Sequence, residues 1–275
     1  MSARADASPA RALAWLYCPP AQRALLGALF SLEAEIRTGV DGSLAHEVAH
    51  TRLNWWREEC ARLAAGTPQH PLTRELAAAG AALERELLGG VAGLVDVASW
   101  DLAQATFGTR RELKAYCERW SVALVLPWAH SAVPAIATAH VLPLGSALKE
   151  LELLRTVQPD ARAGRVRVPL DELERAGILP AALTAATPGE PLRALLSSAH
   201  ARAQLELAQA AAALTPLEQP PLRALLVWAQ MALISSRRAS ESLPRPTLAG
   251  DHPAPLDGWR AWRAARRAAT GRLHL

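Results

Sequence analysis

Apolar residues recur at helical spacing through most of this chain, and prolines and glycines punctuate them. Pro19 and Pro20 open the first long segment, predicted as a helix over 21–37 with Leu25, Leu29, Leu32 and Ile36 on one face. A second helix is predicted over 44–65, stopping at Gly66-Thr67-Pro68, and a third over 71–88, stopping before Gly89-Gly90. Helices over 91–105 and from Arg110 onward follow, the latter with Thr109 as its N-cap. Residues 120–148 contain no Asp, Glu, Lys or Arg. A run of that length could span a membrane. However, Pro127, Pro134 and Pro143 cut it into short pieces, and His130 and His140 sit inside it, so buried core helices are the reading. Further helices are predicted over 144–157, 192–214 and 221–243. Only 160–178 reads differently: Val166, Val168 and Pro169 suggest a short extended piece, then a brief helix ending at Gly177. "PRPTLAGDHPAP", 244–255, is a proline-rich linker to a last helix. With no fixed-period repeat and no second core in view, the division is a helical domain over 1–245 and a linker plus basic C-terminal helix over 246–275.

Composition agrees with an all-α class. Of 275 residues 51% are apolar, yet only two are Phe and two are Tyr; Ala, Leu and nine Trp supply the bulk. The net charge of +4 rests almost wholly on Arg, since Lys114 and Lys149 are the two lysines. Arginines interleave with Asp and Glu along the chain, which describes solvated helix faces and argues against a nucleic-acid partner. The C-terminal "WRAWRAARRAATGR" departs from this. Trp259 and Trp262 beside Arg260, Arg263, Arg266 and Arg267 could touch an acidic membrane surface, or the helix packs on the core with its arginines in water. Cys18, Cys60 and Cys117 are odd in number, far apart and without a CxxC pattern, so each is expected as a buried thiol in a reducing compartment. No secretory signal is visible in the first fifteen residues, and the expected location is cytoplasmic, with peripheral membrane contact through the last helix.

His46-Glu47-Val48-Ala49-His50 forms the HExxH string of zinc hydrolases. That chemistry needs both histidines on one helix face, the glutamate as general base and a third ligand. No HxxGxxH continuation follows; Glu75 on the next helix is the one candidate third ligand. The simpler reading makes His46 and His50 ordinary polar positions on a helix whose apolar face includes Val48, Leu53, Trp56 and Leu63.

Four segments, taken in order, resemble the squalene/phytoene synthase family. "CPPAQRALLGALFSLEAEI" resembles its first core helix, and "RLNWWREEC" followed by "GTPQHPLTRELA" its next segment. "DLAQATFGTRRELKAYC" is similar to its Asp-Leu, aromatic, Thr, Glu-Leu, Tyr pattern. "GSALKELELLRTVQPDARAGRVRVPLDELERAGI", 145–178, resembles its second signature most specifically. The resemblance runs over about 12–245. It implies an isoprenoid synthase fold, helices around a central apolar cavity, with Asp-rich segments that hold Mg²⁺ against a prenyl diphosphate. The implied activity is head-to-head prenyl transfer.

Carried over residue by residue, the second signature's metal-binding positions fall on Glu152, Thr156 and Asp160, its Gln on Lys149, and its later arginines on Arg155 and Arg165. Thr156 stands where the family has an aspartate beside Arg155, and a neutral hydroxyl is a poor Mg²⁺ ligand. The first signature should end in an aspartate cluster; this chain reads Arg37-Thr38-Gly39-Val40-Asp41, a cation in place of a metal ligand. "ALFSLEAEI" resembles instead a divergent branch that includes the mitochondrial complex I assembly factor with a squalene-synthase-like domain, regarded as non-catalytic. The expectation is therefore a non-catalytic or altered member that binds an isoprenoid-like lipid or a protein partner, with no residue singled out as catalytic and no cofactor expected. The alternative is an active Mg²⁺-dependent prenyltransferase using Asp41, Glu152 and Asp160. Glu33 falls inside the apolar arc of its helix, so it needs a partner or a raised pKa; Arg155 or Arg52 is expected as the partner inside the old cavity, or Glu33 sits at the edge of the face and reaches water.

Overall fold

The computed structural model describes residues 8–38, 40, 45–185, 187–241 and 254–275. Its helices in chain order are α1 (Pro9–Leu16), α2 (Pro20–Thr38), α3 (His46–Ala65), α4 (Pro71–Ala79), α5 (Arg85–Gly89), α6 (Gly93–Leu102), α7 (Arg110–Trp120), α8 (Leu126–Ala132), α9 (Thr138–Arg155), α10 (Val157–Arg162), α11 (Leu170–Arg175), α12 (Glu190–Ala212), α13 (Arg223–Glu241) and α14 (Asp257–Ala269). Tight 3₁₀ turns occupy Gly90–Ala92 and Pro180–Thr184. No strand occurs among the described residues; the expected extended piece around Val166 and Val168 is an irregular connection whose end hydrogen-bonds through Leu170 N–H to Phe107 O.

α9 is the hub, packing against α7, α12 and α13, while α2 lies against α4, α6 and α8. α1 and α14 both rest on α13. The fully buried Trp56, Trp120, Trp128, Trp228 and Phe107 fill the main core. That core takes in Ala261, Ala264, Ala265 and Ala268 of α14, so the last helix joins it directly. A smaller cluster of Val157, Val168, Leu173, Ile178, Leu183, Leu192 and Leu196 caps the far end of α9. Cys18, Cys60 and Cys117 are free and buried, and burial raises all three thiols, Cys60 to about 12. The linker expected over 244–255 falls almost wholly outside the described residues.

Three expectations need correction. The helix predicted over 71–88 is two helices. A turn at Gly80, where Leu83 N–H bonds Gly80 O, folds Leu88 back so closely that a Cβ on Gly80 would meet Leu88 Cδ2 at 2.9 Å. The prolines do not fragment 120–148 as expected. α7 runs through a π turn, Ser121–Val125, into α8, and the register shift lets Pro127 sit in α8's first turn. Pro143 lies inside α9, where burial of Val141 and Leu144 outweighs a proline cost of about 3 kcal/mol. Only around Pro134 does the helix break. On α3, Val48 is exposed and Ala49 takes the buried place ahead of Leu53, Trp56, Cys60 and Leu63.

Two side-chain arrangements fix helix pairs. Gly145 of α9 lies against the π turn; a Cβ there would stand 2.1 Å from Ser121 Oγ and 2.8 Å from Ser121 Cβ. Glu59 of α3 is fully buried and accepts hydrogen bonds from Gln69 N–H (2.7 Å), His70 N–H (2.8 Å), Arg62 Nε (2.7 Å) and the Thr73 hydroxyl, holding the start of α4. Burial pushes the Glu59 carboxyl up, but these donors overcome it and bring it down to about 2.

G145A is expected to lower stability by about 1–3 kcal/mol through overpacking, read as a lower urea midpoint at unchanged slope; an unchanged midpoint refutes the close packing. Because Glu59 is held below its ordinary value, its contribution is complete above about pH 4.5 and drains away as pH falls toward about 2. E59Q, whose amide oxygen can keep the Gln69, His70 and Thr73 donors but whose NH2 group then faces the Arg62 Nε donor, is expected to cost about 2–3 kcal/mol at pH 7 and to flatten the acid limb of a stability-versus-pH curve.

Candidate functional site

The centre of the bundle holds a cation. Ser8 accepts the Arg11 N–H at 3.4 Å, Pro9 sits in the first turn, and Ala10, Arg11 and Ala14 form the buried face of α1. Arg11 therefore points inward with the alanines. Its guanidinium donates to both Glu33 oxygens and, at 3.1 Å each, through Nε and a terminal nitrogen to Glu152. Its central carbon lies 4.8 Å from the Trp228 ring centre, 5.2 Å from Phe30 and 5.5 Å from Trp120. Trp120 Nε1 also donates to Glu33 at 2.8 Å, and Lys149 Nζ lies 3.6 Å from Glu152 and 5.1 Å from the Trp120 ring. Arg11, Glu33 and Lys149 are all buried. Burial works against the Glu33 charge, but Arg11 and Lys149 more than offset it and hold the carboxyl below the usual range. Arg11 is likewise held charged: burial opposes it, and the two glutamates prevail.

Beside this plug lies a cleft of about 140 Å³. Its polar walls are Glu33, Arg37, Asp101, Tyr116, Lys149, Glu152, Thr156, Asp160, Arg165 and Arg167, and its apolar walls include Val40, Leu94, Val97 and Leu153. At the far side Arg167 bonds Asp101 at 2.7 Å, Tyr116 OH donates to Asp101 at 3.1 Å, and Arg165 bonds Asp160 at 2.9 Å. A second ion pair joins Arg167 to Asp160 at 3.4 Å. Burial and the Asp101 charge raise the Tyr116 hydroxyl well above its ordinary value, so it remains a donor.

The expected site residues divide. Glu33, Arg37, Lys149, Glu152, Thr156, Asp160 and Arg165 line one cleft. Arg52 does not; it reaches Glu35 on the outer side of α2. Arg155 does not either; it lines a separate small pocket with Leu154, Val157 and His200. Glu33 therefore pairs with Arg11, not with Arg155 or Arg52: both expected partners lie off its face, and α1 brings a guanidinium directly over it. Asp41 lies outside the described residues. Arg11, Asp101, Tyr116, Trp120 and Arg167 belong to the cleft and its plug and were not anticipated. The spacing Ala10-Arg11-Ala14 was the available signal for Arg11, in a helix of only 8 residues.

Magnesium does not fit this donor set. Mg²⁺ takes hard oxygens free of other commitments. Here the Glu152 oxygens face Arg11 and Lys149, the Asp160 oxygens face Arg165 and Arg167, and the Thr156 hydroxyl donates to the Leu153 carbonyl of its own helix at 3.2 Å. Counting Arg11, five cations meet four carboxylates, so the net charge favours an anion over a cation. The HExxH histidines do meet, with Nε2 atoms 3.1 Å apart on exposed α3. Glu47 and Glu75 are also exposed, and no group of three or more His, Cys, Asp or Glu able to hold a metal occurs among the described residues.

An all-helical shell with a polar mouth beside a buried centre is the architecture of the isoprenoid synthases. A family model described as squalene/phytoene synthase matches residues 4–259, and the chain belongs to that family. Among solved structures, a dehydrosqualene synthase in complex with ligand superposes with a TM-score of 0.71 at 16% identity, covering 94% of this chain and 90% of that one. The squalene synthase HpnC from Alicyclobacillus acidocaldarius superposes with a TM-score of 0.66 at 19% identity, covering 83% of this chain and 88% of that one. At these identities the likeness is one of fold. No curated protein sequence matches the chain.

R11M strands Glu33 in the core and is expected to cost about 3–5 kcal/mol. R11M/E33L, which removes both charges, is expected to recover most of that loss. Thermal unfolding of the two variants decides: equal destabilisation would mean that the plug is held by packing and not by charge.

Proposed function

We propose that this family member does not ionise prenyl diphosphates and serves as a binding protein, taking an anionic, isoprenoid-like ligand at the mouth of its cleft or acting in assembly. The observation that carries this reading is the pairing of every described carboxylate in the cleft with a guanidinium or ammonium group. Ionising a diphosphate requires metals to neutralise the departing charge. A carboxylate already bonded to arginine gives Mg²⁺ neither open oxygens nor net negative potential.

Volume supports the same reading. About 140 Å³ is below the roughly 300 Å³ at the lower end of ordinary ligand sites. Phe30 and Trp120 meet Trp228 edge to face, and Arg11 lies against all three rings, in the apolar centre where long prenyl chains would lie. What is left suits a headgroup and a few carbons: Arg37 and Arg165 at the rim for the anion, Val40, Leu94 and Val97 for the chain. The resemblance of "ALFSLEAEI" to the non-catalytic divergent branch points the same way.

The deciding experiment incubates the full chain with farnesyl or geranylgeranyl diphosphate and Mg²⁺ and follows diphosphate release. The expected result is none above the protein-free control; Mg²⁺-dependent release, or a head-to-head product, overturns the proposal. Calorimetry in EDTA is expected to show metal-free binding of a prenyl monophosphate, weakened at least tenfold in R37Q/R165Q.

A further inference from the structure

The charge of this protein is concentrated in one place. Residues 254–275 hold five arginines, Arg260, Arg263, Arg266, Arg267 and Arg272, and one acid, Asp257. Their balance of +4 equals the net charge of the whole chain, so the remainder is neutral. The one acid is turned inward: Asp257 is buried, bonded to Arg238 at 2.8 Å and to Arg260 at 3.2 Å. The outer face of α14 therefore presents positive charge with no acid of its own.

That face is also aromatic. α14 buries Ala261, Ala264, Ala265 and Ala268 against the core. Opposite them, by the helical period, stand Trp259, 53% exposed, and Trp262, 45% exposed, alternating with Arg263 and Arg266. Arg263 lies 5.4 Å from the Trp259 ring centre and Arg266 5.2 Å from that of Trp262, so each indole carries a guanidinium. Leu256, just before the helix, is exposed as well. Solvation alone explains the arginines but not two large indoles held in water beside them.

We propose that the outer face of α14 docks the protein on an anionic lipid bilayer, with the two indoles at headgroup depth and the arginines on lipid phosphates. Indoles favour the headgroup layer, and anionic leaflets attract clustered arginine. At 13 residues and with a buried alanine face, α14 lies along the surface and does not cross it; no helix among the described residues is long and apolar enough to span. The neutral remainder leaves α14 as the side that the field of an acidic membrane turns inward.

The test is co-sedimentation of the full chain with vesicles of phosphatidylcholine alone or with 30% phosphatidylglycerol. Expected is pelleting with the anionic vesicles at least tenfold above the zwitterionic ones, lost in high salt. R263Q/R266Q and W259S/W262S are each expected to weaken it at least tenfold, while R111Q/R119Q, which removes as much charge from exposed positions elsewhere, binds as wild type. All these side chains are exposed, so matching thermal midpoints certify the fold. Equal pelleting on both lipids, no pelleting on either, or equal loss in the control variant overturns the proposal; no pelleting on either leaves this face to an acidic protein.

Discussion

The interior of this molecule is organised around the Arg11 guanidinium. It joins α1 to the next helix, α2, through Glu33 and to the distant α9 through Glu152. Three aromatic rings surround it, and each glutamate has another donor besides, Trp120 for Glu33 and Lys149 for Glu152. Such a cluster is stable only when complete, because each buried charge is tolerable only with its partners in place. Its geometry also sets the charge pattern of the cleft: Glu152 is bonded to Arg11, and Asp160 to Arg165 on the opposite wall.

The same cluster constrains how α9 sits in the bundle. α9 must present Lys149, Glu152 and Thr156 on one side and Gly145 against the π turn on the other. A shift of α9 by one residue would rotate all of these together. Packing and charge thus constrain the shell, which superposes with two synthases at 16% and 19% identity.

Much of this was legible in the chain. Helix positions, the Thr109 cap and the grouping of Glu33, Arg37, Lys149, Glu152, Thr156, Asp160 and Arg165 followed from periodicity and from the resemblance over 145–178. What escaped notice shares one physical trait: polar residues doing interior work. Arg11 counts as a surface residue in any hydropathy pattern, and its helix is too short to announce a buried face. Arg167 sits in an irregular connection, where no period reveals which way a side chain points. Prolines misled in the opposite direction. Pro143 reads as a terminator, yet tertiary burial of Val141 and Leu144 carries α9 past it. Glu33, inside an apolar arc, calls for a partner, but the chain points to Arg155 or Arg52 and gives no sign of Arg11, which is the partner.

The residue that completes the centre belongs to α1, so it is made before every other described helix. Its partner Glu152 lies 141 positions later, and α13, on which α1 rests, ends at Glu241. During synthesis Arg11 must therefore wait, solvated, for most of the polypeptide to emerge before it can be enclosed. Closure of the interior becomes a late event of high sequence separation, which slows folding and prolongs the exposure of Trp120, Trp228 and their neighbours.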